Sequence, residues 1–376
     1  MKPIRPVFSS STVMSVKDSK PNLSLSQAAE IAGQLFGLTL SSVRPLPSYD
    51  DQNFHVSSAE GGQYVLKIMN STDSQNLHLL EVQTHTMSFL WEKGLPAQTA
   101  VPTVTGQLMS LEEIDCGLGL QKYMVRLLTF LPGTVMAKVT CTPQLLFEAG
   151  KTAATMDKVL LQMEHPHLST LQRKNFIWSL ASVPLLEQFL PVLDGDPMQE
   201  VVKAVIEQYR IHIAPKLHSF RKCINHGDFN DHNVLVEADG PSNYRISGIL
   251  DFGDMSSGYL VFELAITIMY MMIESSSPLA VGGPVIAGWE SVIPLNSEEK
   301  DAVYLLVLSR FCQSLVLARH TVRQHPENEE YLMTTARTGV RLLRLLWDTG
   351  KEEVERIWCS GITEFSQNKN ETVTRN

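Results

Sequence analysis

The chain has 376 residues, 44% of them apolar and 19% charged, with 40 acidic against 31 basic side chains and a formal net charge of -9. That length exceeds one small domain and suits two lobes of roughly 100–200 residues each. The acidic balance argues against a nucleic-acid partner, which needs a basic face, and leaves a cationic small molecule admissible.

The five cysteines (Cys116, Cys141, Cys223, Cys312 and Cys359) are scattered, odd in number and without a C-x-x-C pair. A disulfide framework is therefore not expected, and a reducing, intracellular setting is. No H-E-x-x-H or zinc-finger spacing occurs among the histidines. The apolar run Leu260–Ile273 is interrupted by Glu263. A bilayer crossing needs about 20 apolar residues, so this run reads as a buried core helix and no membrane partner is expected.

In chain order, residues 1–22 are rich in Ser, Pro and Lys and are expected to be disordered. Ser24 opens a helix, with Gln27 in capping-box spacing and Gly37 placed to stop it. Val43–Pro47 leads into the polar turn Ser48–Asn53. Phe54–Ser57 and Gln63–Met69 then read as strands joined through Gly61-Gly62. A helix is expected from about Asn76 to Lys93, with Leu79, Val82, Phe89 and Leu90 as its apolar stripe. Tyr123–Phe130 reads as another strand, ended by Pro132-Gly133. Residues 23–131 thus form an expected N-terminal lobe with a small antiparallel sheet and one helix.

The expected C-terminal lobe, 132–366, is mainly helical. Thr142-Pro143 opens a helix to about Gln162, with an N-cap and a proline in the first turn. Further helical patterns cover 183–192, 197–218, 258–274, 297–324, 328–347 and 350–365. A strand-turn-strand unit, Asn233–Glu237 and Tyr244–Leu250, precedes the pattern at 258–274. The tail 367–376 is polar and expected to fray.

The stretch Asn225-His226-Gly227-Asp228-Phe229-Asn230-Asp231-His232-Asn233 is followed by Ile249-Leu250-Asp251-Phe252-Gly253-Asp254. Phosphoryl transfer needs one carboxylate to accept or orient the proton of the attacking hydroxyl, and oxygen ligands to hold Mg²⁺ against the phosphates. A turn bearing Asp228, with Asn233 five residues later at the start of a strand, offers the first. The returning strand brings Asp251 beside Asn233. A neutral amide oxygen paired with a charged carboxylate suits magnesium, which keeps several waters. Asp228 is therefore the catalytic candidate, and Asn233 and Asp251 are the metal candidates. Asp254 is either a further metal ligand or a residue that orients the loop. His226 reads as scaffold for the loop rather than proton carrier. Glu263 is either paired in the core or directed at the substrate.

This grammar of H-G-D-x-x-x-x-N followed by L-D-x-x-D belongs to protein-kinase-like folds. The parts of a nucleotide site precede it in the required order. Lys67, in Tyr64–Ile68, matches the lysine that holds the α- and β-phosphates, and Glu81, in the next helix, is placed to anchor it. Ser48–Asn53 stands where a glycine-rich loop would be and contains no glycine.

Together, Ser48–Phe54, Asn225–Asn233 and Ser247–Asp254 resemble the aminoglycoside phosphotransferase-like family, in its branch that acts on free hydroxylysine. The likeness runs from about residue 30 to residue 360. It implies a two-lobed α+β fold, with an N-lobe antiparallel sheet plus helix and a hinge near Leu128–Leu131. It further implies transfer of the γ-phosphoryl of GTP to the 5-hydroxyl of 5-hydroxy-L-lysine with Mg²⁺, in the cytoplasm, with only nucleotide and small-molecule partners. The residues alone leave open a kinase of another amino alcohol or of an aminoglycoside. A catalytically silent nucleotide-binding module is the alternative from another class.

Overall fold

The computed structural model describes residues 19–373 other than 49, 118, 241–242 and 325–333. The described residues form two compact units. One holds the chain up to residue 80 together with 99–130, the other 81–98 together with everything from 131 onward. Residues 81–98 were expected in the first lobe and fall instead with the second.

The first unit is a six-stranded antiparallel sheet with helix α1 (Leu25–Phe36). The Ser24–Gln27 capping box starts the helix, and Gly37, at φ 67°, ends it. Ala28, Ala32 and Phe36, four residues apart, form its buried face. They pack with Phe54, Val56, Leu66, Ile68, Tyr123, Val125 and Leu127, which alternate along their strands as period-2 pleating requires. The strands run in the order β1 (Leu40–Leu46), β2 (Gln52–Ser58), β3 (Gln63–Ile68), β6 (Leu120–Thr129) and β4 (Ala100–Val101), with β5 (Ser110–Asp115) also paired to β6. The register sets Lys67 opposite Asn53 on one side and Arg126 on the other. The short β4 and the polar β5 carry no apolar alternation strong enough to announce them. Part of the segment expected to be disordered is anchored: Ser19 is buried, and Lys20 Nζ donates to Ser48 O at 3.2 Å. Residues 1–18 lie outside the described set.

Helix α2 (Leu77–Glu92) leads into the second unit, which is mainly helical with two small antiparallel sheets. One sheet orders β10 (Tyr244–Ile249), β9 (Val234–Ala238) and β7 (Thr134–Val135); the other pairs β11 (Ser256–Tyr259) with β8 (Lys222–Asn225). Helix α3 (Pro143–Leu160) takes its N-cap from Thr142. The expected helix over 183–192 is a 3₁₀ helix, Leu180–Leu193, because Pro184 and Pro191 remove the donors an α-helix needs. The pattern at 197–218 splits for the same reason into α4 (Met198–His212) and a 3₁₀ segment containing Pro215.

Helix α5 (Leu260–Ile273) is buried along its whole length. Helix α6 (Gly282–Glu290) was hidden in a Gly-Gly-Pro start that argues against helix. It packs backbone to backbone on α3: a Cβ on Gly150 would stand 2.0 Å from Val285 O, and one on Gly288 2.0 Å from Phe147 O. Helix α7 (Ser297–Gln324) contains a window long and apolar enough to span a bilayer, but 89% of it is buried inside the protein. Helices α8 (Thr334–Thr349) and α9 (Lys351–Val373) complete the chain, and α9 continues past Gln367, where fraying was expected. A polar surface does not prevent a helix from extending, since its backbone bonds are internal.

Candidate active site

In the first unit, Lys67 projects from the end of β3, one residue before its last, and its Nζ lies 2.9 Å from Asp51 Oδ2. Asp51 belongs to the turn that replaces a glycine-rich loop, and it is itself held. Its Oδ1 accepts from the Asn70 backbone N–H at 2.8 Å and from Asn70 Nδ2 at 3.2 Å. The turn is fixed by side chain-to-backbone bonds in place of glycine geometry. Ser48 Oγ donates to Asp51 O at 2.6 Å, while Gln52 exchanges two bonds with the backbone of Leu23, at 2.7 and 2.9 Å. Asp51 was read only as a polar turn residue, because a partner sixteen positions from its lysine has no local signature. Glu81 falls in the second unit, where its Oε2 lies 3.7 Å from His167 Nε2.

In the second unit, the loop 226–233 leaves β8 and enters β9. Gly227 adopts φ 82°, and a Cβ there would meet Asp254 O at 2.7 Å, so no other residue fits. Asp228 accepts from Asn230 Nδ2 and Asn233 Nδ2, both at 2.9 Å to Oδ2. Asn233 Nδ2 also donates to Asp228 O at 3.0 Å, so the amide group is spent on the loop and its Oδ1 is turned to the other side. Leu250 N–H donates to Asn233 O at 2.8 Å, which draws the returning strand alongside and places Asp251 next in line. Asp251 has φ 55°, one of two non-glycine residues with positive φ among the described residues. Such strain is retained where a side chain must point in a required direction. The structure thus assembles Asp228, Asn233 and the strand that delivers Asp251 in one place.

His226 is fully buried. Its Nε2 bonds Leu250 O at 2.9 Å, and its Nδ1 accepts from Asp228 N–H at 3.2 Å. Burial pushes its pKa down to about 4, which leaves a neutral ring bracing the loop. Glu263 is also fully buried, and its Oε2 accepts from Gly227 N–H at 3.1 Å. Of the two readings of Glu263, the paired core role is the observed one. Burial pushes its carboxyl up to about 7. The same cause, with the Asp228 carboxylate second, pushes Asp254 up to about 7. Asp157, buried beside Glu263, is held well above the ordinary range, again by burial first. Asp228 itself is raised to about 6 by burial, against the lowering effect of Arg310.

Arg310 was not foreseen. It comes from the middle of α7 with only 1% of its side chain exposed, and Nη2 lies 3.3 Å from Asp228 Oδ1. The same nitrogen donates to Gly227 O and to Tyr270 Oη, both at 3.2 Å, and Nη1 donates to Trp178 O at 2.8 Å. The guanidinium also faces the Trp178 and Tyr270 rings, at 5.1 and 5.4 Å. One turn on, Gln313 Nε2 donates to Ile177 O and Ser179 O. Together with Glu263, Arg310 clamps the Gly227 peptide at both ends. The one signal in the sequence was a lone cation inside the apolar run 305–317.

A model of the phosphotransferase enzyme family matches residues 42–292. A hydroxylysine kinase of Danio rerio is 66% identical over 94% of this chain and 100% of its own length. One of Xenopus laevis is 51% identical over 92% of this chain and 96% of its own. Among solved structures, an amicoumacin kinase in complex with AMP-PNP, Ca²⁺ and Ami superposes with a TM-score of 0.61 at 15% identity, covering 86% of this chain and 94% of that one. Its fold is therefore shared, a two-lobed α+β kinase-like architecture. With a catalytic-loop sequence, a fold and relatives of this identity in agreement, the chain belongs to the phosphotransferase enzyme family as a phosphotransferase with an alcohol as acceptor.

Proposed function

We propose that the chain transfers the γ-phosphoryl group of GTP to the 5-hydroxyl of free 5-hydroxy-L-lysine. The observation that carries the reading is the Asp228 carboxylate, held by Asn230, Asn233 and Arg310 while 24% of its side-chain surface stays open to a hydroxyl. The acceptor identity is supported by the relatives named hydroxylysine kinase, at 48–66% identity.

Asp228 orients the acceptor hydroxyl and takes its proton, and its pKa near 6 keeps it mostly ionised at neutral pH. Asn233 Oδ1 and the Asp251 carboxylate would hold magnesium: both are hard oxygen donors, and the strained Asp251 backbone fits a fixed ligand. The bound ion supplies charge neutralisation at the transferred phosphoryl group. Lys67 carries the phosphate-binding charge in the first unit, with Asp51 to orient it. Rate enhancement then rests on positioning and electrostatics, with no covalent intermediate. The same reading places the enzyme in the cytoplasm, where its five unpaired thiols would persist.

The test is turnover with GTP and with ATP across hydroxylysine, homoserine, choline and an aminoglycoside. A kcat/KM for hydroxylysine with GTP well above every other pair is expected. Equal turnover of choline or the aminoglycoside would reduce the assignment to an alcohol kinase of other specificity.

A further inference from the structure

Asp231 lies three residues beyond Asp228 in the same loop and is 97% buried, with 3% of its surface accessible. Its backbone carbonyl accepts from Ala137 N–H at 2.9 Å, so the loop is held there. Its Oδ2 has no hydrogen-bond partner, and the residue forms no ion pair among the described residues. A buried carboxylate without a cation is costly and is retained where a ligand completes it. Glu274, at the exposed end of α5, and the Cys141 thiol complete the corner. Each carboxylate acts on that thiol, and burial with both charges pushes it up to about 11. The corner therefore holds two carboxylates and a neutral thiol, with His232 at its rim.

Position ties this corner to the acceptor. Glu263, Tyr270 and Glu274 follow one another at 7 and then 4 residues, which puts them on one face of α5. Glu263 holds the amide before Asp228, Tyr270 touches the arginine that touches Asp228, and Glu274 comes one turn further on, toward Asp231. In a vicinal amino alcohol, two carbons separate the reacting hydroxyl from the ammonium.

We infer that Asp231, with Glu274, is the subsite for the primary ammonium of the acceptor, next to the hydroxyl held by Asp228. This rests on the kinase reading above and names the group that sets its specificity. Binding, rather than turnover, separates the two. Calorimetric titration of the full chain with Mg·GDP present uses L-lysine, which has the ammonium and no hydroxyl, and norleucine, which lacks the terminal ammonium. The wild type should favour lysine by about 30-fold or more, the lower end of the loss when one partner of a buried charge pair is removed. Asp231→Asn should erase that preference without changing affinity for Mg·GDP. Glu274→Gln, at an exposed position unable to endanger folding, should reduce it by a smaller factor. A wild type that binds lysine no better than norleucine overturns the subsite, as does an Asp231→Asn variant that keeps the preference. Absence of hydroxylysine phosphorylation by a wild type that still prefers lysine would instead overturn the kinase reading.

Discussion

Lys67 and Arg310 are both cations facing a carboxylate, and the comparison between them separates two kinds of site. Lys67 Nζ lies 2.9 Å from Asp51 Oδ2, with 12% and 10% of the two side chains exposed. Arg310 spends its guanidinium on Trp178 O, Gly227 O, Asp228 Oδ1 and Tyr270 Oη at once, between two aromatic rings. A compact ammonium on a flexible stem can exchange one oxygen partner for another, which a phosphate-binding group must do. A planar fork committed to four oxygens cannot, and acts as framework. The first unit thus carries a replaceable charge and the second a fixed one.

The largest expected effect lies at the carboxylate that Arg310 holds. Asp228→Asn keeps the shape and an oxygen for Arg310, removes the proton acceptor, and sets an amide nitrogen against the Asn230 and Asn233 donors. It should lower kcat by about 10²–10⁴-fold while the folded chain still binds Mg·nucleotide. Near-normal turnover would take Asp228 out of the chemistry and leave Arg310 bracing a merely structural turn. The wild-type kcat should also fall as pH drops through about 6, since the base works only when ionised.

Removing the fixed cation should cost less turnover and more stability. Arg310→Met leaves Asp228 Oδ1, Tyr270 Oη and two backbone carbonyls without the donor it supplies, and breaking a buried pair from one side costs about 3–5 kcal/mol. Without the lowering charge, the acid limb of kcat should move above its wild-type position. Urea unfolding and a pH–rate profile check both. A loss below about 1 kcal/mol would show that neighbouring groups can absorb the change, and would erase the contrast with Lys67.

Lys67→Ala should behave in the opposite way. Asp51 keeps its two bonds from Asn70, so the stability loss should stay near 1 kcal/mol. Nucleotide KM should nevertheless rise by tenfold or more. If the variant unfolds as easily as Arg310→Met, Lys67 is part of the framework too.

What the sequence made legible follows the same division. Asp228, Asn233 and Asp251 lie within 24 positions, on a turn and a hairpin whose spacing fixes their meeting, and the glycine at 227 marks the turn. The helix α1, with its capping box, and strands β2 and β3 were readable because their signals are local. Asp51, Arg310 and Trp178 were not, since each meets its partner through tertiary packing that no window of residues encodes. The 3₁₀ segment at 180–193 and the helix at 282–290 were misread or missed because proline and glycine there are tolerated for packing reasons, against local propensity. Glu263 stood in between. Its presence in an apolar run was visible, whereas its partner, the Gly227 amide, was not.

That residue gives the smallest and sharpest test. Glu263→Gln keeps a carbonyl oxygen for Gly227 N–H, so kcat should change only a few-fold, far less than for Asp228→Asn. Its effect should appear in the pH dependence of stability. Burial raises the Glu263 carboxyl to about 7 in the folded chain, against about 4.3 when exposed. The folded state therefore prefers the protonated acid. The stability it contributes is complete below the unfolded value and is lost as pH rises through about 7. Asp254, Asp157, Asp228 and Asp231 shift in the same direction and together outweigh His226, whose lowered pKa acts oppositely, so the wild type should melt at a lower temperature at pH 8 than at pH 5.5. The glutamine variant has no proton to lose at this position. Its midpoint should fall less between those two pH values, by a margin that differential scanning calorimetry can resolve, without vanishing while the buried aspartates remain. An unchanged slope would mean that Glu263 is already ionised in the folded chain, with Arg310 holding a charge on both sides of the Gly227 peptide.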